Sequence, residues 1–318
     1  MKKRILSSIV IVAIMLIAIA SRLLTPYIFD AIMIISGVWA TIEMVRAYAK
    51  RKIFVSETLA SSFVLVLYLV LTLCLMNNVT IAKMLLYFLF TIIGYFVFTF
   101  VLSVVFRDIT REEMLKSSYM KSLTKYAFVK ALRSIYILIY PAMLFVLLIV
   151  INHMNDFYVA TLTEESTLLS VAQLVDFLII AIFVCATFTD TFALLIGSKV
   201  KGKKLCPSIS PNKTISGAIG GFVFGLIGVL GAYMLYSLSN EFMTIINVLE
   251  ITWLPVIVLA VLGPIITQIG DILASAIKRK AFIKDYSNLI PGHGGVMDRV
   301  DGLIFVGVIA FLIGFVII

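Results

Sequence analysis

The sequence predicts an all-α, polytopic integral membrane protein with about nine transmembrane helices, its amino terminus in the cytoplasm and its carboxyl terminus outside. Three observations carry this expectation. The 318 residues are 62% hydrophobic and only 14% charged, more apolar surface than a water-soluble core of that length can hide. The apolar residues fall in long runs, each near the roughly 20 residues of helix that cross a hydrocarbon layer, and they lack the alternation of a membrane barrel. The cations gather in every second connecting segment, which sets the orientation.

The first run, 5–24, follows a basic start and reads as a retained span, with a cleaved signal peptide ending at an Ala18-x-Ala20 pattern as the alternative. Runs at 27–45, 58–76 and 81–106 complete an amino-terminal transmembrane scaffold, residues 1–106. Internal charges are few, and Arg22, Glu43 and Lys83 lie near predicted span ends and read as snorkelling side chains. A second unit, 107–166, combines a basic, partly amphipathic cytoplasmic segment at 107–133 with a span at 134–152. That segment reads as a solvated connector; attraction to acidic lipid is the competing reading. Spans at 168–196, 216–237, 251–274 and 302–318 form the third unit, 167–318, where the polar chemistry concentrates. Cys74, Cys185 and Cys206 are widely spaced and read as ordinary apolar residues.

With the amino terminus inside, segments 1–4, 46–57, 107–133, 197–215 and 275–301 hold 24 of the 26 Lys and Arg residues. The outside loops 153–167 and 238–250 hold none and carry Asp156, Glu164, Glu165, Glu241 and Glu250. The net charge of +9 therefore describes a cytoplasmic face suited to anionic headgroups or a phosphorylated substrate. A basic nucleic-acid binder would not be this hydrophobic, so nucleic acid is not an expected partner.

Ionisable groups inside membrane helices are costly and are functional candidates by default. Asp176 reads as paired or hydrated near the outer interface, whereas Asp190 and Asp271 fall toward the cytoplasmic ends of their spans and can converge. The loop "GSKVKGKKLCPSISPNKTISG", 197–217, is turn-rich and electropositive, and Ser210, Lys213 and Thr214 suit phosphate oxygens. Asp271, Ser275 and Lys278 share a helix face with Arg279 beside them. Asp298 and Asp301 share a face at the start of the last span. Three carboxylates, Asp271, Asp298 and Asp301, can gather at the mouths of two helices as hard oxygen ligands for Mg2+, with the surrounding cations meeting substrate phosphates. A salt-bridge cluster without metal is the alternative.

The segment SxxKRxxxxKDxxxxxPGHGGxxDRxD, Ser275 to Asp301, resembles the signature of the phosphatidate cytidylyltransferases, also called CDP-diacylglycerol synthases. Its defined positions are Ser275, Lys278, Arg279, Lys284, Asp285, Pro291, Gly292, His293, Gly294, Gly295, Asp298, Arg299 and Asp301. The upstream "SPNKT" at 210–214 and Asp190-Thr191 are also similar, with departures at Phe192, Lys201, Gly202 and Ser216. The resemblance implies transfer of CMP from CTP to phosphatidic acid at the cytoplasmic face of the plasma membrane, yielding CDP-diacylglycerol and pyrophosphate. It implies Mg2+ as one or two ions, with Mn2+ or a monovalent ion as alternatives, and a homodimer in the lipid bilayer. It places Asp271, Asp298, Asp301, Lys278, Asp285 and His293 in the catalytic group. Ser210, Lys213, Thr214, Ser275, Arg279, Lys284, Arg299 and Asp190 fall among the substrate-binding residues. Another lipid cytidylyltransferase or a polyprenol kinase is the neighbouring expectation, and a secondary transporter the non-enzyme one.

Overall fold

A computed structural model describes residues 13–22, 24–52, 54–117, 122–159, 165–248, 252–290 and 294–317. Among them, eight helices are long and apolar enough to cross a membrane, one for each predicted run from 27–45 onward. The protein is a multi-pass, all-α membrane protein. Of the first run, residues 13–21 are helical (α1) and Ala18 is buried; residues 1–12 lie outside the described set.

Helix α2, Pro26–Lys50, starts at a Thr25 cap followed by proline, a pairing that presets the first turn. Helix α3, Glu57–Met76, is capped by Ser56 Oγ, which accepts from Leu59 N at 3.3 Å. Helix α4, Ile81–Val105, is the most exposed span, and its Phe90, Phe98 and Val101 present side chains outward. Such a belt requires hydrocarbon contact.

The predicted connector 107–133 is helical in two pieces, α5, Arg107–Ser117, and α6, Leu123–Ile137. The span forecast at 134–152 therefore begins earlier, at Leu123. Lys130 is held 2.6 Å from Glu113, which lets that turn pack with Tyr126, Ala127 and Ala131 buried. Helix α6 passes through a π-helical segment, Leu138–Met143, whose Pro141 interrupts the α-helical ladder, into α7, Leu144–Asn152. Every residue of α7 is buried. A helix apolar on all sides belongs inside a bundle, and α7 packs against α2, α3, α9 and α13. A short α8, Met154–Val159, follows.

The carboxyl-terminal half contains α9 (Glu165–Val200), α10 (Ile215–Tyr236), α11 (Asn240–Val248), α12 (Leu254–Lys280) and α13 (Met297–Ile317). Glycines on α10 bring it against α9: a Cβ at Gly221 would meet Thr189 O at 2.7 Å, and one at Gly217 would meet Ala193 O at 2.6 Å. The loop expected between these helices holds the one sheet among the described residues, a hairpin of β1 (Lys204–Cys206) and β2 (Ser210–Thr214). Lys201 and Gly202, with φ of 59° and 105°, end α9 in the left-handed region and turn the chain into β1.

At the bundle end opposite this hairpin, the charges read as snorkelling or hydrated are tied together. Arg22 pairs with Asp176 and donates to Asn152 Oδ1 at 2.6 Å. Asn152 Nδ2 donates to Asp30 Oδ1 at 2.8 Å, and His153 bridges Asp30 and Asp156 at 2.7 and 2.6 Å. The reading of Arg22 as a snorkelling side chain is thus corrected: its side chain is only 11% exposed and is held by Asp176 and Asn152.

Candidate functional site

The site lies where the hairpin meets the ends of α12 and α13. Two glycines set the distance between these helices. A Cβ at Gly270 would come within 2.7 Å of Asp301 O, and one at Gly302 within 2.7 Å of Thr267 Cγ2. Each glycine adjoins an aspartate, so the closest approach of the helices occurs where Asp271 and Asp301 sit. Asp301 is 5% exposed, accepts from Gly302 N at 2.9 Å, and has Asp271 and Asp190 as its nearest like charges.

The cations are interleaved with these carboxylates. Lys213 Nζ on β2 lies 2.6 Å from Asp271 Oδ2, and Lys278 Nζ on α12 lies 2.6 Å from Asp298 Oδ1. Lys278 also sits 5.4 Å from the Tyr286 ring centroid. Arg279 Nε donates to Ile209 O at 3.1 Å, fastening the hairpin to α12. Asp190 on α9 keeps accessible surface and faces Asp271, Lys213 and Arg299.

Asp298 is engaged on both oxygens. Oδ2 accepts from Tyr286 N and Gly295 N, each at 2.9 Å, while Oδ1 holds Lys278. Gly294, at φ 86°, lets that carboxylate approach: a Cβ there would lie 2.6 Å from Oδ2. Burial raises the Tyr286 phenol well above its ordinary value, and the charges of Asp301 and Asp298 add to the rise. It stays neutral and donates to Ala274 O at 3.1 Å.

The remaining expected residues divide. Ser275 is buried on the α12 face shared with Asp271 and Lys278. Ser210 is half-buried at the start of β2. Thr214 serves the fold directly, its hydroxyl accepting from Gly217 N at 3.1 Å to cap α10. Lys284 and Asp285 are exposed on the loop after α12. His293, with Pro291 and Gly292, lies outside the described residues.

Asp271, Asp298 and Asp301, expected as metal ligands, stand at the helix ends beside the cations and amides that hold them. Among the described residues no group of three His, Cys, Asp or Glu side chains is set to hold a metal. Asp298 spends its oxygens on Lys278 and two amides, and Asp271 leans on Lys213. The donor chemistry nevertheless fits a hard cation: Asp271 and Asp301 are carboxylates brought near one another, with Asp190 among the like charges acting on Asp301.

One residue of the site was read otherwise from sequence. Glu43 on α2, taken as a snorkelling charge, is 1% exposed and accepts from Ser287 Oγ, Val296 N and Met297 N. The available signal was a lone carboxylate within an apolar run. Snorkelling suits the long stems of Lys and Arg, and Glu is too short for it.

Several curated proteins are similar to this chain over a stretch of comparable length. The phosphatidate cytidylyltransferase of Brucella abortus is 40% identical over 136 residues, covering 43% of this chain and 46% of that protein. Those of Thermotoga maritima and Bacillus subtilis are 38% and 36% identical, over 39% and 37% of this chain and 44% and 40% of theirs. The chain thus spans less than half the length of these relatives. The family model described as the cytidylyltransferase family matches residues 2–317, essentially the whole sequence. On that match, the chain belongs to the cytidylyltransferase family.

Proposed function

We propose that this protein is a phosphatidate cytidylyltransferase: CMP passes from CTP to phosphatidic acid, giving CDP-diacylglycerol and pyrophosphate at the cytoplasmic face of the plasma membrane. The observation that carries the proposal is the pair of Lys–Asp contacts, Lys213–Asp271 and Lys278–Asp298, gathered with Asp190 and Asp301 where membrane helices end. The names borne by the similar bacterial proteins support the same reading.

Joining two polyanions is first a problem of charge and alignment. A phosphate oxygen of phosphatidic acid attacks the α-phosphorus of CTP, the bond to the bridging oxygen breaks, and pyrophosphate leaves with that electron pair. The attacking phosphate is already anionic at neutral pH, so no strong general base is needed. Lys213, Lys278 and Arg279 bind phosphate oxygens, with Ser210, Ser275, Lys284 and Arg299 at the margins of the site and Asp285 and His293 on the adjoining loop. Mg2+, as one or two ions, would be held by Asp271 and Asp301 and, once Lys278 turns to phosphate, by Asp298; it would neutralise charge on the reacting phosphates. Each lysine released from its aspartate then keeps an anionic partner, so no charge is left unpaired. The acyl chains remain beside the apolar belt. We further propose a homodimer as the working unit.

The test is CMP transfer from labelled CTP to phosphatidic acid in detergent micelles with Mg2+. Wild type is expected to form CDP-diacylglycerol, and folded Asp298→Asn to form about 100-fold less. No product from folded wild type with Mg2+, Mn2+ or added monovalent ions would sink the proposal for this lipid. Product with a prenyl phosphate instead would move the acceptor, and solute flux without CTP turnover would point to transport.

A further inference from the structure

We propose that Glu43 is a positioning residue of the transfer site: from the amino-terminal half of the chain it fixes the segment that presents Asp298. This rests on the reading of the site given above. Helix α13 begins at Met297, so the residue before it is Val296, which has no side-chain oxygen with which to cap the helix. The first amides of a helix need acceptors. Here they find one 254 positions away in sequence: Met297 N donates to Glu43 Oε2 at 2.8 Å, and Val296 N to Oε1 at 3.1 Å. Ser287 Oγ, from the other limb of the loop, donates to Oε1 at 2.6 Å. A negative group at that position also complements the helix dipole.

The same short segment is gripped from its other side by Asp298, which accepts from Gly295 N and from Tyr286 N. Amides 295, 296 and 297 are therefore shared between two carboxylates, one from α2 and one from the site itself. Gly295 makes room for this. A Cβ there would stand 2.4 Å from both Glu43 oxygens, so any larger residue would force the carboxylate out. Displacing Glu43 would free the segment, shift Asp298 and with it Lys278, which Asp298 holds at 2.6 Å.

The experiment uses the full-length protein in detergent and compares wild type with Glu43→Gln. That variant keeps the shape but turns one acceptor oxygen into a donor facing an N–H. The expected result is a fall in kcat of about 10- to 100-fold, with KM for CTP and phosphatidic acid held within about threefold. Hydrogen exchange at the Val296 and Met297 amides should become faster, and Glu43→Asp should recover part of the rate. A lower melting temperature with unchanged kcat per folded molecule would mean a purely structural carboxylate and would overturn the proposal, as would wild-type kinetics and exchange in Glu43→Gln. If Glu43→Gln does not fold, Gly295→Ala tests the contact from the opposite side: the same loss of kcat supports the proposal, and an unchanged kcat overturns it. If wild type itself transfers no CMP, the functional reading fails separately. The exchange measurement then decides the pinning, and unchanged protection at 296 and 297 overturns it.

Discussion

His153 has an acidic oxygen within 2.7 Å of each ring nitrogen, Asp30 on one side and Asp156 on the other. Each ring nitrogen thus faces an acidic oxygen, an arrangement that favours the imidazolium. Burial works against that charge, yet the hydrogen bonds and charges of Asp156 and Asp30 outweigh it and raise the group to about 9. The folded value exceeds the unfolded one of about 6.5. The contribution to stability is therefore complete below about pH 6.5 and lost as pH climbs through 9, amounting to roughly 3 kcal/mol. Thermal unfolding of wild type and His153→Gln between pH 6 and 9.5 measures it: wild type should lose its advantage over the variant across that window, and a constant difference would refute the assignment. At this scale the sequence was legible where a motif marked the residue, as at Lys278 and Asp298. It was opaque for the contact of His153 with Asp30, 123 positions apart, and for those of Glu43, at least 244 positions from their donors, because such distances leave no local spacing to read.

Helices α12 and α13 meet through Gly270 and Gly302, and the aspartates beside those glycines come together as a result. Gly270→Ala would set a methyl against Asp301 O and the Phe305 ring, contacts of 2.7 and 2.6 Å. A backbone carbonyl yields little, so the helices must part. The expected cost is about 1–3 kcal/mol of stability, together with a lower rate of CMP transfer as Asp271 and Asp301 separate. A variant as stable and active as wild type would show that the approach is not needed. Span positions were readable from apolar runs because crossing a bilayer demands a minimum length. Helix starts were less so: α6 begins at Leu123 after Ser122, and Lys130 within it is held by Glu113, a pairing that hydropathy alone does not register. The hairpin was likewise hidden, since the turn at Lys201 and Gly202 reveals its sign only in the backbone.

For the molecule as a whole, orientation is the property that the charge pattern predicts and a native thiol can report. Cys74 and Cys185 are buried, whereas Cys206 on β1 is half-exposed beside the site. A membrane-impermeant maleimide should label Cys206 in inside-out vesicles and spare it in intact spheroplasts. Labelling from the outer side would reverse the topology and remove the site from the cytosolic CTP pool. The overall architecture was the most legible level, because hydrophobicity and the distribution of Lys and Arg act over whole segments. What it concealed was that the two halves of the chain share one site.

That sharing bears on how the protein is made. Glu43 and Val296 are 253 residues apart, so at ordinary rates of translation roughly 10 to 50 s separate their synthesis. During that interval α2 resides in the bilayer with a carboxylate about 10 Å from its Lys50 end and none of the three donors that later satisfy it. Its three donors arrive only with the loop after α12 and the start of α13. The site is thus complete only once α13 has been made, and a chain released before it leaves Glu43 short of the full set of these donors.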